Sequence, residues 1–283
     1  MTNARTTSRR RPLDLGSLVG TVTLLIFMVA FFLPIAWAVL MSLKTQVDAL
    51  SMPPKWWFVP TLENYLTVWQ DGRFATYARN SVVIAVSATG IGMILGVPAA
   101  YALARFRVRG QKAILLGILS TRMMPPVAFV IPFFILFTRL SLRDTPQAVI
   151  IMHVSFILGF VIWMMRSYFR DVPRELEEAA RVDGCNDYQA FWRVVLPIAT
   201  PGLATSAIFA FIFSWNEFLY AMVLTTMKAK TLPLGIYNWI AYEEIMWGEL
   251  TAAAVIAMIP VVIFYFFIQR AFVRGLTMGA VKG

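Results

Sequence analysis

The apolar residues of this chain fall into long runs separated by polar stretches. A helix needs about 20 mostly apolar residues to cross a bilayer. Six stretches meet or approach that length: 17–41, 81–104, 113–136, 148–165, 202–224 and 251–268. The fourth and sixth are short on apolar residues alone, and their flanks extend them. None shows the apolar–polar alternation of a membrane barrel strand. The pattern predicts an all-α polytopic membrane protein with six transmembrane helices. Pro34, Pro98, Pro125, Pro126, Pro132 and Pro260 interrupt the predicted helices, as hinges or cavity walls.

Composition strengthens this reading. The chain has 283 residues, 59% of them hydrophobic and 14% charged, with a mean hydropathy of +0.70. A soluble domain carries roughly 25% charged residues, so lipid must solvate much of this surface. The net charge of +10 would suggest nucleic acid in a soluble protein. Here the basic residues sit in short loops beside the apolar runs, and topology explains them without nucleic acid. With the N-terminus in the cytoplasm, 16 of the 25 Lys and Arg residues fall inside and 8 outside, while Arg122 lies within a span. That bias predicts a multi-pass protein with both termini cytoplasmic. Ser8-Arg9-Arg10-Arg11 faintly resembles a twin-arginine signal, but the apolar run after it is too long for a signal core and reads as a retained first span. One cysteine, Cys185, and one histidine, His153, make neither a disulfide nor a metal cluster. His153 reads as a hydrogen-bonded packing residue.

Two stretches predicted to lie outside, about 42–80 and 225–250, are aromatic. Trp56 and Trp57 in the first, and Trp239, Tyr242 and Trp247 in the second, suit either an interfacial belt or the docking of an external protein.

Between the fourth and fifth spans lies a charged segment, about 170–200. Asp171 is a candidate N-cap, Pro173 suits a first turn, and Glu175, Glu177 and Glu178 favour the positive helix start. Gly184 fits the left-handed residue that ends a helix. Leu176, Ala179, Ala180 and Asp183 fall close to one face, and the small alanines admit a close partner. Asn186 or Asp187 can cap a second helix that Leu196-Pro197 closes.

Glu178-Ala179-Ala180, three residues, Gly184, nine residues and then Val194-Val195-Leu196-Pro197 resembles the EAA loop of ATP-binding cassette importer permeases, with Val194 in place of Ile. Chain length, span order, Trp215-Asn216-Glu217-Phe218 and the ending Gly275-Leu276-Thr277-Met278-Gly279-Ala280-Val281-Lys282-Gly283 resemble the carbohydrate branch, in particular its maltose-type second permease subunit. The resemblance implies a type I importer permease fold with a cytoplasmic coupling helix, in a bacterial plasma (inner) membrane. It divides the chain into a cytoplasmic N-terminal segment 1–16, a transmembrane permease domain 17–270 and a cytoplasmic tail 271–283. It implies ATPase-coupling roles for Glu178, Ala179, Ala180, Asp183, Gly184, Leu196 and Pro197, and a tail that reaches the ATPase subunits. No G-x-x-x-x-G-K-[ST] phosphate loop is present, so ATP and Mg belong to partner subunits and this chain binds no cofactor of its own. The implied partners are a second permease subunit in a heterodimer, two nucleotide-binding ATPase subunits, an extracytoplasmic solute-binding protein and membrane lipid.

Charge inside a span is costly and usually buried or functional. Arg122, beside Met123, and Glu217, beside Trp215 and Asn216, are candidates to line a substrate pathway; the alternative is a structural Arg122–Glu217 pair. The substrate reads as a sugar or sugar-like solute, neutral by default, and anionic (sulfonated or phosphorylated) if Arg122 faces the pathway. An ion-coupled secondary transporter remains the alternative, and would call for ionisable relays and repeat symmetry.

Overall fold

The computed structural model describes residues 15–237, 240 and 245–279. In chain order the helices are α1 (Leu15–Ser42), α2 (Gln46–Ala49), α3 (Glu63–Gln70), α4 (Gly72–Arg105), α5 (Gln111–Met123), α6 (Val127–Arg139) and α7 (Pro146–Asp171). After α7 come α8 (Arg174–Val182) and α9 (Asp187–Ala190), then a π-helical stretch, Phe191–Val195. The chain continues through α10 (Leu196–Ile198), α11 (Thr200–Trp215), α12 (Leu219–Leu224), α13 (Leu232–Tyr237) and α14 (Trp247–Gly279). No strand occurs among the described residues. Four of these helices are long and apolar enough to cross a membrane, and two bent pairs bring the number to six.

The spans differ from their apolar runs where polar residues join a helix or prolines break one. The second begins at Gly72, not 81, because the polar Arg73, Arg79 and Asn80 lie on the same helix. Its 34 residues rise about 50 Å, more than a hydrocarbon core of about 30 Å. The third span is α5 and α6, bent by 95° at Met124-Pro125-Pro126. Met124 is extended, with φ −73° and ψ 133°, as a residue before proline prefers. Pro34, Pro98, Pro132 and Pro260, by contrast, lie inside continuous helices, so of the six prolines read as interruptions only Pro125 and Pro126 mark a break. The fifth run also breaks, after Trp215, and α12 starts afresh at Leu219.

The core is α4 packed along α7. Ala88, Gly92, Gly96 and Ala100 recur every fourth residue of α4 and are buried. A Cβ on Gly92 would stand 2.5 Å from Ile157, and one on Gly96 2.7 Å from Val161, both on α7. Small residues at this spacing let two membrane helices approach closely. α11 packs on both, while α1 lies against α14 with most of its surface exposed, as a lipid- or partner-facing helix requires.

Candidate functional site

Two regions gather the chemistry, one at each side of the α4–α7 core. At the first, α7 runs through Asp171, so this residue does not cap α8. Val172 is extended ahead of Pro173, and Pro173 itself takes the N-cap position without a side-chain hydrogen bond. α8 ends as its glycine predicts, with Gly184 at φ +88°. Asn186 then starts α9 with a capping box: its side chain accepts from the Gln189 N–H, and the Gln189 side chain accepts from the Asn186 N–H. The helical path continues through the π-helical stretch and α10, where Leu196 and Pro197 form its last turn. It ends at Ile198, and the chain then bends by 76° into α11.

The faces of α8 also differ from the predicted one. Leu176, Glu178, Ala179, Asp183 and Gly184 are exposed, whereas Ala180 turns inward and is buried together with Glu177. Glu177, only 2% exposed, forms an ion pair with Arg105 in the last turn of α4. The Tyr101 hydroxyl donates to Glu177 Oε2 at 2.9 Å, and Arg105 Nη2 donates to the Val172 carbonyl at 2.8 Å. The Tyr101 ring lies 4.6 Å from Phe191 and 5.6 Å from Phe169, centroid to centroid. One face of α8 is thus fixed to the membrane core by a buried charge pair, and the opposite face is free.

The second region is a cavity of about 470 Å³ beside the α5–α6 break, within the rough 300–1,000 Å³ span of small-molecule sites. α5 contributes Thr121 and Arg122, α6 contributes Phe129 and Phe133, and α7 contributes Met152, Ser155 and Phe156. Phe213, Glu217, Leu219 and Tyr220 complete the far wall. Arg122 holds its guanidinium over the rings of Phe160 and Phe213, 5.5 and 5.9 Å from their centroids. Among the described residues it has no carboxylate within ion-pairing distance. Glu217 instead meets His153 Nε2 at 3.2 Å and accepts from the N–H groups of Tyr220 and Ala221, at 2.8 and 3.2 Å. These contacts explain why the helix restarts after the break. His153, fully buried, also hydrogen-bonds Ser214 through Nδ1 at 2.6 Å.

Of the five residues named for a pathway, the cavity brings together Arg122 and Glu217. Met123 points elsewhere and is exposed. Trp215 is buried against Phe211, and its indole N–H donates to the Ala257 carbonyl at 3.1 Å. Asn216 is exposed at the end of α11.

At the end of the core away from α8 lies a feature the apolar pattern does not announce. Asp144 accepts from the backbone N–H groups of Thr226, Met227, Lys228 and Ala229, and from the Thr226 hydroxyl at 2.8 Å. Burial alone would raise its carboxyl pKa, but these donors hold it well below the usual carboxylate range. Asn80 binds the carbonyls of Lys228 and Lys230, both at 2.9 Å, and Ser81 accepts from Leu232. Loop 225–231 is thereby stitched to α4 and to the start of α7. Trp239 and Tyr242 lie outside the described residues, as do 1–14 and the last four residues of the tail.

Residues 88–278 match the family described as binding-protein-dependent transport system inner membrane component. The chain is 39% identical over 252 residues to the probable ABC transporter permease protein y4oR of Sinorhizobium fredii, covering 89% of this chain and 91% of that one. It is 37% identical over 258 residues to the trehalose transport system permease protein SugB of Mycobacterium tuberculosis, covering 89% and 92%. Its fold matches a crystal structure of a bacterial ABC transporter involved in import of the acidic polysaccharide alginate, with a TM-score of 0.75 and 29% identity over 90% of this chain and 96% of that one. The chain belongs to the binding-protein-dependent transport system inner membrane component family, and its fold is that of the ABC importer permeases.

Proposed function

We propose that this chain is one of two membrane subunits of an importer that moves a sugar or sugar-like solute inward by alternating access, driven by ATP hydrolysed on separate subunits. The observation that carries this reading is α8, anchored on one face through Glu177 and open on the other along Leu176, Ala179 and Asp183. That exposed face, with Glu178 and Gly184, is the coupling surface for the ATPase subunits. Leu196 and Pro197 lead from it through the bend into α11. The orientation has α8 and both termini in the cytoplasm, consistent with the inside excess of arginine and lysine. A second, related permease completes the pore, and a solute-binding protein delivers the cargo to the outer face. The trehalose and alginate transporters it resembles support a saccharide cargo. An ion-coupled mechanism is not favoured, because the family matched is binding-protein-dependent and the similar proteins are ABC transporter permeases.

The test is Gly184→Val. A β-branched residue is strained at φ +88°, so the end of α8 must distort. Uptake by the assembled importer falls while the chain still reaches the membrane; unchanged uptake would refute the coupling role.

A second reading concerns the cargo. Arg122 faces the cavity with aromatic neighbours and, among the described residues, no paired carboxylate, which supports an anionic saccharide. A guanidinium binds carboxylate, sulfonate or phosphate groups in bidentate geometry, and the alginate transporter carries an acidic polysaccharide.

A further inference from the structure

We infer that Glu177, Arg105 and Tyr101 are the positioning residues that carry displacement of α8 into the transmembrane core. This rests on the proposed docking of the ATPase subunits against the exposed face of α8.

Glu177 lies near the middle of the nine-residue α8 and is buried, while Leu176 and Ala179 are exposed. Its side chain is 3% exposed and that of Arg105 6%. Separating two such charges without water to replace the contact is strongly unfavourable. Any tilt or shift of α8 therefore takes the last turn of α4 with it. Three further contacts stiffen the joint. Arg105 Nη2 holds the Val172 carbonyl that leads into α8. Arg166 Nε of α7 donates to the Leu103 carbonyl of α4 at 3.2 Å. The Tyr101 hydroxyl holds Glu177 Oε2, while its ring packs between Phe169 of α7 and Phe191 of the π-helical stretch.

From this joint the displacement passes along rigid elements. α4 is pressed onto α7 at Gly92 and Gly96, where the side chains of Ile157 and Val161 lie directly against its backbone. α7 in turn supplies Met152, Ser155 and Phe156 to the cavity. A push on α8 thus reaches the cavity wall through two continuous helices and one buried ion pair. Glu178, next in sequence and exposed, is placed to meet a partner; Glu177 is placed to pass the motion on.

The experiment uses the complete importer, with the partner permease and both ATPase subunits, and a methanethiosulfonate reagent as the probe. Ser155→Cys in a Cys185→Ser background reports on the cavity. Trapping ATP with vanadate in the ATPase subunits changes the labelling rate of this reporter about fivefold or more when the joint is intact. With Glu177→Gln the vanadate trap still forms, but the change in labelling falls to about twofold or less. Tyr101→Phe, which removes one hydroxyl, gives an intermediate loss, and Arg105→Lys restores more of the response than Arg105→Gln. A merely structural role would lower the amount of assembled complex without altering the response per trapped complex. A full labelling response in Glu177→Gln overturns the inference. If Glu177→Gln does not accumulate, a full response in Tyr101→Phe overturns it instead. Failure of the docking reading shows separately: Val182→Cys, at a position 88% exposed on α8, is then labelled equally fast with and without the ATPase subunits.

Discussion

Arg105 and Arg122 are both arginines in the last turn of a helix in an apolar chain, and they are used in opposite ways. Arg105 is buried, ion-paired with Glu177 and hydrogen-bonded to a carbonyl. Arg122 lies at a cavity wall over two aromatic faces and meets no carboxylate among the described residues. Nearly all the interactions of Arg105 are spent inside the protein, so it fixes geometry. Much of the hydrogen-bonding capacity of Arg122 is left for something that enters. Residue type and helix position do not separate the two; the chemistry of the neighbours does.

The largest effect is expected where the internal pair is broken. Arg105→Ala leaves Glu177 buried without its partner, a change that costs about 3–5 kcal/mol. The chain should then accumulate poorly in the membrane, as an immunoblot of membrane fractions would register. Arg105→Ala at wild-type levels would show that the pair is not the anchor of α8.

A smaller effect on folding and a larger one on selectivity are expected at the cavity. Cation–π contacts contribute about 0.5–2 kcal/mol, so Arg122→Gln should reach the membrane normally. Uptake of an acidic saccharide should fall about tenfold or more, since a charge-assisted pair is lost, while a neutral saccharide is little affected. Glu217→Gln and the double variant sharpen the contrast. If both single variants accumulate poorly and the double one recovers, Arg122 and Glu217 form a structural pair and the case for an anionic cargo fails.

The smallest effect belongs to a third way of holding a charge. Asp144 is in no ion pair among the described residues; a loop of backbone N–H groups and the Thr226 hydroxyl hold it. Its folded pKa is depressed. The contribution to stability is therefore present above the unfolded value of about 4 and lost only as pH falls through the lower folded value. Thermal stability of the purified complex should show no step from this group between about pH 5 and 9. Asp144→Asn should lower the melting temperature by a few degrees at neutral pH, with uptake still measurable. A pH step near neutrality that disappears in Asp144→Asn would contradict this assignment.

The same contrast explains what could be read from the chain alone. The six spans follow from apolar runs, because lipid makes apolarity a requirement along the whole length of a crossing helix. Gly184 and Asn186 announce their positions through local backbone chemistry, and the structure has a left-handed glycine and a capping box there. The direction of α8 was harder to see. A nine-residue helix with three glutamates has more than one polar face, and only its docking partner decides that Glu177 and Ala180 turn inward. Arg105 is 72 residues away from Glu177 and reads as one more topology-setting arginine. The Asp144 contacts leave little side-chain signature beyond the Thr226 hydroxyl, since any non-proline residue at 226–229 supplies an N–H group. Two signals were present and usable: Met124 ahead of two prolines marks the break in the third span, and Ala88, Gly92, Gly96 and Ala100 at four-residue spacing mark the α4–α7 contact.

The most direct measurement is transport by the assembled importer in proteoliposomes, with ATP sealed on the side of the ATPase subunits and solute-binding protein with its saccharide on the other. Uptake should require both, should stop when ATP is replaced by a non-hydrolysable analogue, and should be indifferent to an imposed proton or sodium gradient. Uptake driven by such a gradient without ATP would contradict the assignment of this chain as an ATP-coupled permease subunit.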